Sequence, residues 1–179
     1  SNLSILLGID DISDAMRFAE NLQQISEHDT QLVQQLRDEQ ADLEAVLAMA
    51  QGLDFVDPDR IFLLGTSQGG AVSAITAAEH ADEIRGLILL YPAFVLVDNA
   101  NERDSSPEEI PESTFFLWME VLLLHGDADD IVPLSYSERA LEVYPEARLQ
   151  VLPGAGHGFY GEDAQVAIDA IADYCNAWV

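Results

Sequence analysis

Four short apolar runs predict the strands of a buried sheet. They occupy residues 61 to 65, 86 to 91, 121 to 125 and 148 to 152. The first three contain almost no polar residues, which is typical of parallel strands covered on both faces. Stretches with helical spacing of apolar positions lie between and after these runs. The chain therefore alternates between strands and helices, and this alternation predicts an α/β fold.

Apolar positions at helical spacing predict five helices. Their approximate ranges are residues 12 to 25, 30 to 52, 68 to 80, 135 to 143 and 163 to 178. Residues 3 to 8 are compatible with one short strand. At 179 residues the chain is expected to form a single domain over residues 1 to 179. Residues 98 to 113 are rich in charge and proline, and they indicate an exposed, lid-like insertion at about 95 to 120.

A glycine-flanked serine marks the junction between the first apolar run and the following helix. Gly65, Ser67 and Gly69 form a G-x-S-x-G pattern between a buried strand and a helix, the context of a nucleophile elbow. Glycine permits the sharp turn, so Ser67 is a candidate nucleophile. The backbone N–H of Gln68, at the start of the helix, is a candidate oxyanion donor. The alternative, a phosphate-binding loop, lacks the expected G-K-[ST] ending.

A candidate acid and a candidate base follow two later strands. The run 121 to 125 leads into a loop carrying Asp127, Asp129 and Asp130, and the run 148 to 152 leads into a glycine-rich loop carrying His157. Serine, acid, histidine is the chain order of an α/β-hydrolase triad. Calcium is a competing use of the acidic loop, because Asp127 and Glu138 stand at the first and twelfth positions of an EF-hand-like window. Apolar residues at its fifth and sixth positions argue against it.

The other three histidines and the lone cysteine are expected to have no chemical role. His28, His80 and His125 are interpreted as structural or solvated residues. Cys175, the only cysteine, is expected on the inner face of the last helix, where a small apolar side chain would pack. A single cysteine excludes an intramolecular disulfide and a cysteine zinc site.

These motifs together resemble the α/β-hydrolase superfamily over about residues 30 to 179, most closely bacterial carboxylesterases of the cinnamoyl and feruloyl esterase type. The segments that carry the resemblance are 65 to 70, 91 to 94, 125 to 129 and 154 to 159. The resemblance implies a doubly wound, mostly parallel sheet flanked by helices. It also implies that Asp129, the fifth residue of an H-G-x-x-D pattern, is the acid and that His157 is the base.

The resemblance also exposes what the sequence does not supply. A full sheet of this fold has eight strands, and the loop that normally supplies the second oxyanion donor follows an early strand. Only four strands can be placed here, so N-terminal strands and part of the lid are interpreted as lying outside this sequence. The strand at 61 to 65 would otherwise be an open edge, and exposed edges promote aggregation. We expect it to be covered, by protein outside this sequence or by a second subunit in a homodimer.

Composition narrows the possible partners. The chain has 33 acidic and 7 basic residues, a formal net charge of −26 and no lysine. Such a field repels phosphate backbones and anionic lipid, so nucleic acid and membrane surfaces are disfavoured as partners. Adaptation to high salt would also produce such a surface. No secretory segment or stretch of the ~20 apolar residues needed for a membrane span is visible, and we expect a cytoplasmic protein.

The sequence predicts a serine carboxylesterase that needs no metal or cofactor and acts on a small-molecule ester. Apolar residues flanking the insertion predict an acyl pocket for aryl or medium-chain groups; they are Phe94, Phe115, Phe116, Leu117 and Trp118. The segment from Tyr91 to Phe94 could equally be plain core. Two alternatives stay open: a serine peptidase or acyl-aminopeptidase of the same fold, and a catalytically silent binding protein.

Overall fold

A four-stranded parallel sheet forms the centre of the molecule. The computed structural model describes residues 12–94 and 119–178, with backbone only for residues 12–30 and for Val33. The strands are β1 (Phe62–Thr66), β2 (Gly86–Leu90), β3 (Glu120–Gly126) and β4 (Ala147–Leu152). They lie in the order β1-β2-β3-β4, and every neighbouring pair is parallel. The four predicted strands are confirmed to within two residues at each end.

Four α-helices in the described residues accompany the sheet. They are α1 (Ile12–Gln51), α2 (Gln68–Glu79), α3 (Ser135–Val143) and α4 (Glu162–Asn176), with a 3-10 turn at Pro58–Arg60. Helix α2 packs on β1 and β2, α3 packs on β4, and α1 lies against α2. Helix α4 contacts β3. The three shorter helices agree with the predicted ranges.

Alternating side chains of the central strands build two separate cores. Leu87 and Leu89 on β2 pack on one face with residues of α1, α2 and α3, while Ile88 and Leu90 pack on the opposite face with Ala167 and other residues of α4. Strand β3 divides its leucines in the same way. Because both faces are covered, these strands are continuously apolar rather than alternating. The helices therefore lie on both sides of the sheet, as predicted.

The prediction of two helices before residue 52 is wrong. One helix of 40 residues, α1, runs from Ile12 to Gln51 and includes the polar stretch at residues 26 to 29 that was interpreted as a break. That stretch contains neither proline nor glycine, so no residue in it disrupts the backbone hydrogen bonds of a helix. Polar residues alone do not end a helix.

Some predictions lie outside the described residues. These are the short strand at residues 3 to 8 and almost all of the lid-like insertion at 95 to 120. Within the described residues β1 has β2 as its single neighbour. None of the helices in that part of the chain combines the length and the apolar character needed to cross a membrane.

Candidate active site

Ser67 occupies a tight turn between β1 and α2. Its φ is 50° and its ψ is −120°, a left-handed conformation that non-glycine residues seldom adopt. The turn is possible because Gly65 and Gly70 have no side chain: a Cβ on Gly65 would collide with the carbonyl of Gly69, and one on Gly70 would lie 2.9 Å from Cβ of Pro92. The crowding of these two positions explains the glycines around the elbow. A Cβ on Gly69 itself would meet nothing.

Two hydrogen bonds connect the predicted nucleophile, base and acid. Nε2 of His157 lies 3.0 Å from Oγ of Ser67, and Nδ1 of His157 lies 2.9 Å from Oδ2 of Asp129. The three residues come from the loops after β1, β3 and β4, and the carboxyl ends of parallel strands bring these loops to one edge of the sheet. The structure thus brings together all three residues that the sequence singled out.

The Asp129 carboxylate is held on both oxygens. Oδ1 accepts the backbone N–H groups of Ile131 and Val132, each at 2.9 Å, while Oδ2 faces His157. Burial raises the pKa of this carboxyl, but the N–H of Val132, the His157 ring and the N–H of Ile131 together outweigh burial, so the net pKa is lowered from its ordinary 3.8. The side chain is fully shielded from solvent. Asp129 is therefore an ionised, fixed partner for the imidazole.

The two neighbouring aspartates lie elsewhere. Oδ1 of Asp127 accepts the backbone N–H of Gly154 at 2.6 Å and so connects the acid loop to the loop that carries His157. A backbone bond from Ala128 N to Ala155 O, 3.0 Å long, reinforces the same connection. Asp130 is exposed. Asp127 thus caps a turn in the neighbouring loop.

His125 has a structural role that places it next to the acid. The ring is fully buried at the end of β3, with Nδ1 2.7 Å from Oγ of Ser137 and Nε2 2.9 Å from the carbonyl of Val132. Nε2 also lies 3.3 Å from Oδ2 of Asp129. Because two oxygen acceptors surround Nε2, we assign the proton to it and let Nδ1 accept the Ser137 hydroxyl. His125 thus ties the acid loop to α3.

Gln68, the predicted oxyanion donor, begins α2. As the first residue of the helix it carries a backbone N–H that has no intrahelical acceptor. Its side chain is used differently: Nε2 lies 3.0 Å from both carboxylate oxygens of Glu39 on α1. That contact anchors the start of the elbow helix to its neighbour and leaves the backbone N–H as the group available to a ligand.

The predicted acyl-pocket residues are largely outside the described part of the chain. Phe115, Phe116, Leu117 and Trp118 all lie there. Phe94 is described, and its side chain is only 8% exposed in the core that packs β2 and β3 against α2. Of the two interpretations of Phe94, plain core and pocket floor, its burial favours the first. Its role in binding a substrate stays a prediction.

Tyr91 contacts the predicted base, which sequence analysis did not anticipate when it left this residue between core and pocket floor. Its ring centroid lies 4.8 Å from that of His157 with the planes at 60°, and 4.9 Å from that of Phe159 with the planes at 89°. Burial, together with the nearby Tyr160 and Asp129, raises the pKa of the phenol against a lowering hydrogen bond to Thr66. The sequence signal was a tyrosine directly after an apolar strand, which by itself does not reveal a contact with a loop that follows another strand.

One group of side chains in the described residues meets the distance requirement for a metal ion. Glu44 on α1 and Glu79 and His80 at the end of α2 place one ligand atom each within 4.8 Å of one another. These groups already have other partners: Gln40 donates to both carboxylates, and Nδ1 of His80 lies 3.0 Å from Glu83. Glu79 is exposed. We assign no ion to this surface cluster.

Comparisons with known proteins place the chain in a family. The family model described as Phospholipase/Carboxylesterase matches residues 9–175. The chain therefore belongs to this family of ester hydrolases within the α/β-hydrolase fold, which confirms the predicted superfamily.

Two curated relatives are named acyl-protein thioesterase 1. The protein of Emericella nidulans is 33% identical over 97 residues, which is 53% of this chain and 37% of the relative. The protein of Neurospora crassa is 28% identical over 123 residues, which is 66% of this chain and 46% of the relative. The chain thus spans less than half the length of these relatives.

Solved structures share the fold. Est1E from Butyrivibrio proteoclasticus has a TM-score of 0.66 at 23% identity, covering 78% of this chain and 69% of its own, and one structure of it contains ferulic acid. A putative dipeptidyl aminopeptidase IV from Bacteroides ovatus has a TM-score of 0.65 at 18% identity, covering 79% of this chain and 22% of its own. At these identities the matches show the fold.

Proposed function

We propose that this protein hydrolyses carboxylic esters through a covalent acyl-enzyme, with Ser67 as nucleophile, His157 as general base and acid, and Asp129 as the residue that orients the imidazole. The observation that carries the proposal is the continuous pair of hydrogen bonds from Ser67 Oγ through His157 to Asp129, 3.0 and 2.9 Å long. An adjacent base activates a hydroxyl that is otherwise a weak nucleophile.

The reaction proceeds in two halves. Ser67 Oγ attacks the ester carbonyl while Nε2 of His157 takes the hydroxyl proton, and the same nitrogen then gives this proton to the departing alcohol. In the second half His157 takes a proton from water, and the resulting hydroxide attacks the acyl-enzyme. The tetrahedral intermediate formed by this attack then collapses, His157 returns the proton to Ser67 Oγ, and the carboxylic acid is released. Asp129 stabilises the imidazolium in both halves without accepting its proton.

The oxyanion requires donors that are fixed before the reaction. The backbone N–H of Gln68 at the start of α2 is the donor we assign, and the positive end of the helix dipole adds to its effect. The contact of the Gln68 side chain with Glu39 keeps this end of the helix in place. One such donor is typically worth about 10²–10³ in kcat.

Two substrate classes follow from different observations. Aryl or medium-chain acyl esters fit the apolar residues around the insertion, and the structural neighbour Est1E has been solved with ferulic acid. Thioesters of acyl chains are the second candidate because both curated relatives are named acyl-protein thioesterase 1. The triad serves both, since the acyl-enzyme is the same ester of Ser67 whether an alcohol or a thiol departs.

The nucleophile is tested by Ser67→Ala. Ester turnover should fall by several orders of magnitude, on the scale of ~10⁶ for a triad serine, with the fold retained. Labelling by a fluorophosphonate should disappear in the same variant and persist in Ser135→Ala, a change at the exposed start of α3. A folded Ser67→Ala protein with a tenth of the wild-type activity would remove Ser67 from the mechanism.

The substrate class is tested with matched acyl groups. We expect feruloyl and octanoyl esters to be hydrolysed with higher kcat/KM than p-nitrophenyl acetate, because an apolar pocket contributes binding energy that acetate cannot use. Comparing an octanoyl oxygen ester with the octanoyl thioester, at equal chain length, separates the two candidate classes. A strict preference for acetate contradicts the predicted pocket.

A further inference from the structure

Ser67 and Tyr91 share an unusual backbone conformation. Among the described residues they are the non-glycine residues with positive φ, at 50° and 38°. Each directly follows a strand: Thr66 ends β1, Leu90 ends β2, and these two strand residues are paired in the sheet. Two neighbouring strands are thus each followed, at the same edge of the sheet, by a non-glycine residue with a positive φ.

Such a conformation carries an energetic cost. A bulky L-residue in the left-handed region is destabilised and persists only where the surroundings impose it. For Ser67 the turn explains the conformation, because it presents Oγ to Nε2 of His157. Glycine or asparagine would fit the backbone of residue 91 more easily than tyrosine does. Backbone preference therefore does not explain the tyrosine, so its side chain must.

The Tyr91 ring packs against the ring of His157, the proposed base. Its centroid is 4.8 Å from that of His157, within the range of a favourable aromatic contact. Phe159, two residues beyond His157, contacts the same ring edge-on at 4.9 Å. The ring thus touches the histidine loop at two points. The Tyr91 hydroxyl also interacts with the side chain of Thr66, the residue before the nucleophile.

The backbone on either side of Tyr91 is fixed to the site as well. Its N–H donates to Leu124 O at 2.7 Å, and two residues later Ala93 N donates to Ser67 O at 2.8 Å. Ser67 N in turn donates to Leu90 O at 3.0 Å. Residues 90 to 93 are therefore tied to the nucleophile's own backbone, while the Tyr91 ring touches the base.

We propose that Tyr91 is a positioning residue for His157, which holds the imidazole plane so that Nε2 stays in line with Ser67 Oγ. This inference rests on the proposed function. Asp129 fixes one point of the ring, Nδ1, about which the imidazole could still tilt. The Tyr91 ring and Asp129 together restrict that tilt. A misplacement of about 1 Å can cost 10²-fold in rate, so this restriction has a measurable effect.

The test uses a pair of tyrosine-to-leucine changes. Tyr91→Leu should lower kcat by about 10- to 100-fold with little change in KM, because the base is misaligned while the acyl pocket is not. Tyr136→Leu is the matched control: Tyr136 is also half-buried and packs against a core cluster, but it lies on α3. It should lose stability and keep wild-type kcat in the folded protein.

A conservative and a backbone-relieving variant complete the set. Tyr91→Phe retains the ring and should keep kcat near the wild-type value, although it loses the hydroxyl. Tyr91→Gly removes the ring and relieves the left-handed φ, so it should fold and still show the kcat loss of the leucine variant. The rate of fluorophosphonate labelling should fall in parallel, since it needs His157 but no acyl pocket.

The outcomes separate this inference from the proposed function. A wild-type protein that neither labels nor hydrolyses esters would overturn the proposed function itself. An active wild type whose Tyr91→Leu and Tyr91→Gly variants keep full kcat overturns the role of Tyr91 alone. A rise in KM with unchanged kcat does the same, because it would make Tyr91 a wall of the substrate pocket. A kcat loss in Tyr91→Phe equal to that in Tyr91→Leu would assign the effect to the hydroxyl and also overturn it.

Discussion

The acid loop carries three aspartates with three different environments. Asp129 faces His157, Asp127 accepts the N–H of Gly154, and Asp130 is exposed. The residue pattern alone lists all three, since they lie within four positions of one loop, and it was the family resemblance that singled out Asp129. Both Asp127 and Asp129 contact the loop that follows β4, and the choice depends on which carboxylate meets the His157 ring.

Asparagine substitutions distinguish these roles. Asp129→Asn should lower kcat by about 10⁴, since an amide oriented toward Nδ1 favours the wrong imidazole tautomer. Asp127→Asn and Asp130→Asn are the matched controls and should each cost less than about tenfold. An asparagine at position 127 keeps a side-chain oxygen that can accept the N–H of Gly154, and Asp130 is exposed. Steady-state kinetics of the three purified variants is the measurement. A large loss of kcat in Asp130→Asn, with Asp129→Asn near the wild-type value, would contradict the assignment of Asp129 as the acid.

Sequence analysis did not predict the individual packing contacts of Tyr91 and His125. Tyr91 and His125 were both visible as residues directly after or at the end of an apolar strand. His125 was interpreted as structural or solvated, and the structure shows it fully buried with bonds to Ser137 and Val132. Tyr91 was left undecided between core and pocket. The Tyr91 contact depends on how two loops pack at the edge of the sheet, and the His125 contacts depend on how the loop after β3 and the start of α3 fold back onto the end of that strand, so the pattern of residues reveals neither.

At the scale of elements, the apolar strands were the most predictable feature. A run such as Leu87 to Leu90 is buried on both faces, so its composition alone indicates its place. The elbow was equally clear, since Gly65 and Gly70 are required by close contacts. The continuity of helix α1 was not predictable, because residues 26 to 29 in its middle contain neither a helix-breaking residue nor apolar positions that would indicate that the helix continues. Its packing on α2 involves few apolar residues and several polar contacts.

A cluster of titrating side chains at the end of α2 makes the stability of the protein sensitive to pH. His80, at the end of α2, lies 3.0 Å from Glu83 and 3.7 Å from Glu44 on α1, with Glu79 in the same group. The hydrogen bond to Glu83 raises the pKa of His80 above its ordinary 6.5, against a smaller opposing effect of burial. A raised folded-state pKa means that the contribution to stability is complete below pH 6.5 and is lost as the pH rises through the folded value.

His80→Gln measures this contribution. The free energy of unfolding should be lower in the variant than in the wild type at about pH 5.5, and the difference should shrink at about pH 8.5. Urea denaturation at the two pH values is the measurement. His80 is partly exposed and screened by salt, so the effect should be largest at low ionic strength. If the difference in the free energy of unfolding between the wild type and His80→Gln grew as the pH rose, the proposed direction of the His80 effect would be wrong.

At the scale of the molecule, the acidic surface and the sheet edges are the dominant features. A formal net charge of −26 favours dispersed molecules and opposes association with other anions. The described sheet ends at β1 on one side and at β4 on the other. Each of these strands carries a partly exposed apolar side chain, Leu64 at 50% and Val151 at 38%. Repulsion between molecules reduces, but does not remove, the hazard of an unpaired apolar strand.

Leu64 and Val151 allow the predicted covering of β1 to be tested. If β1 is covered in the folded protein, Leu64→Glu should lower the free energy of unfolding by more than about 1 kcal/mol, because a charge would be placed in a packed environment. Val151→Glu, the corresponding change on β4, should cost less. If β1 is an exposed edge, Leu64→Glu should stay within about 0.5 kcal/mol of the wild type.

Amide hydrogen exchange adds an independent readout of the same edge. In a strand paired on one side, alternate N–H groups point away from the partner, so a two-residue period of fast and slow exchange should appear along Phe62–Thr66. A covered β1 should instead show slow exchange at every residue, and this is the result we expect. Sedimentation of the same sample shows whether a second copy supplies the cover, since a dimer should dissociate on dilution while the protection of β1 is lost. Alternating exchange in a monomer, with Leu64→Glu neutral, would show that β1 is exposed and would overturn the prediction.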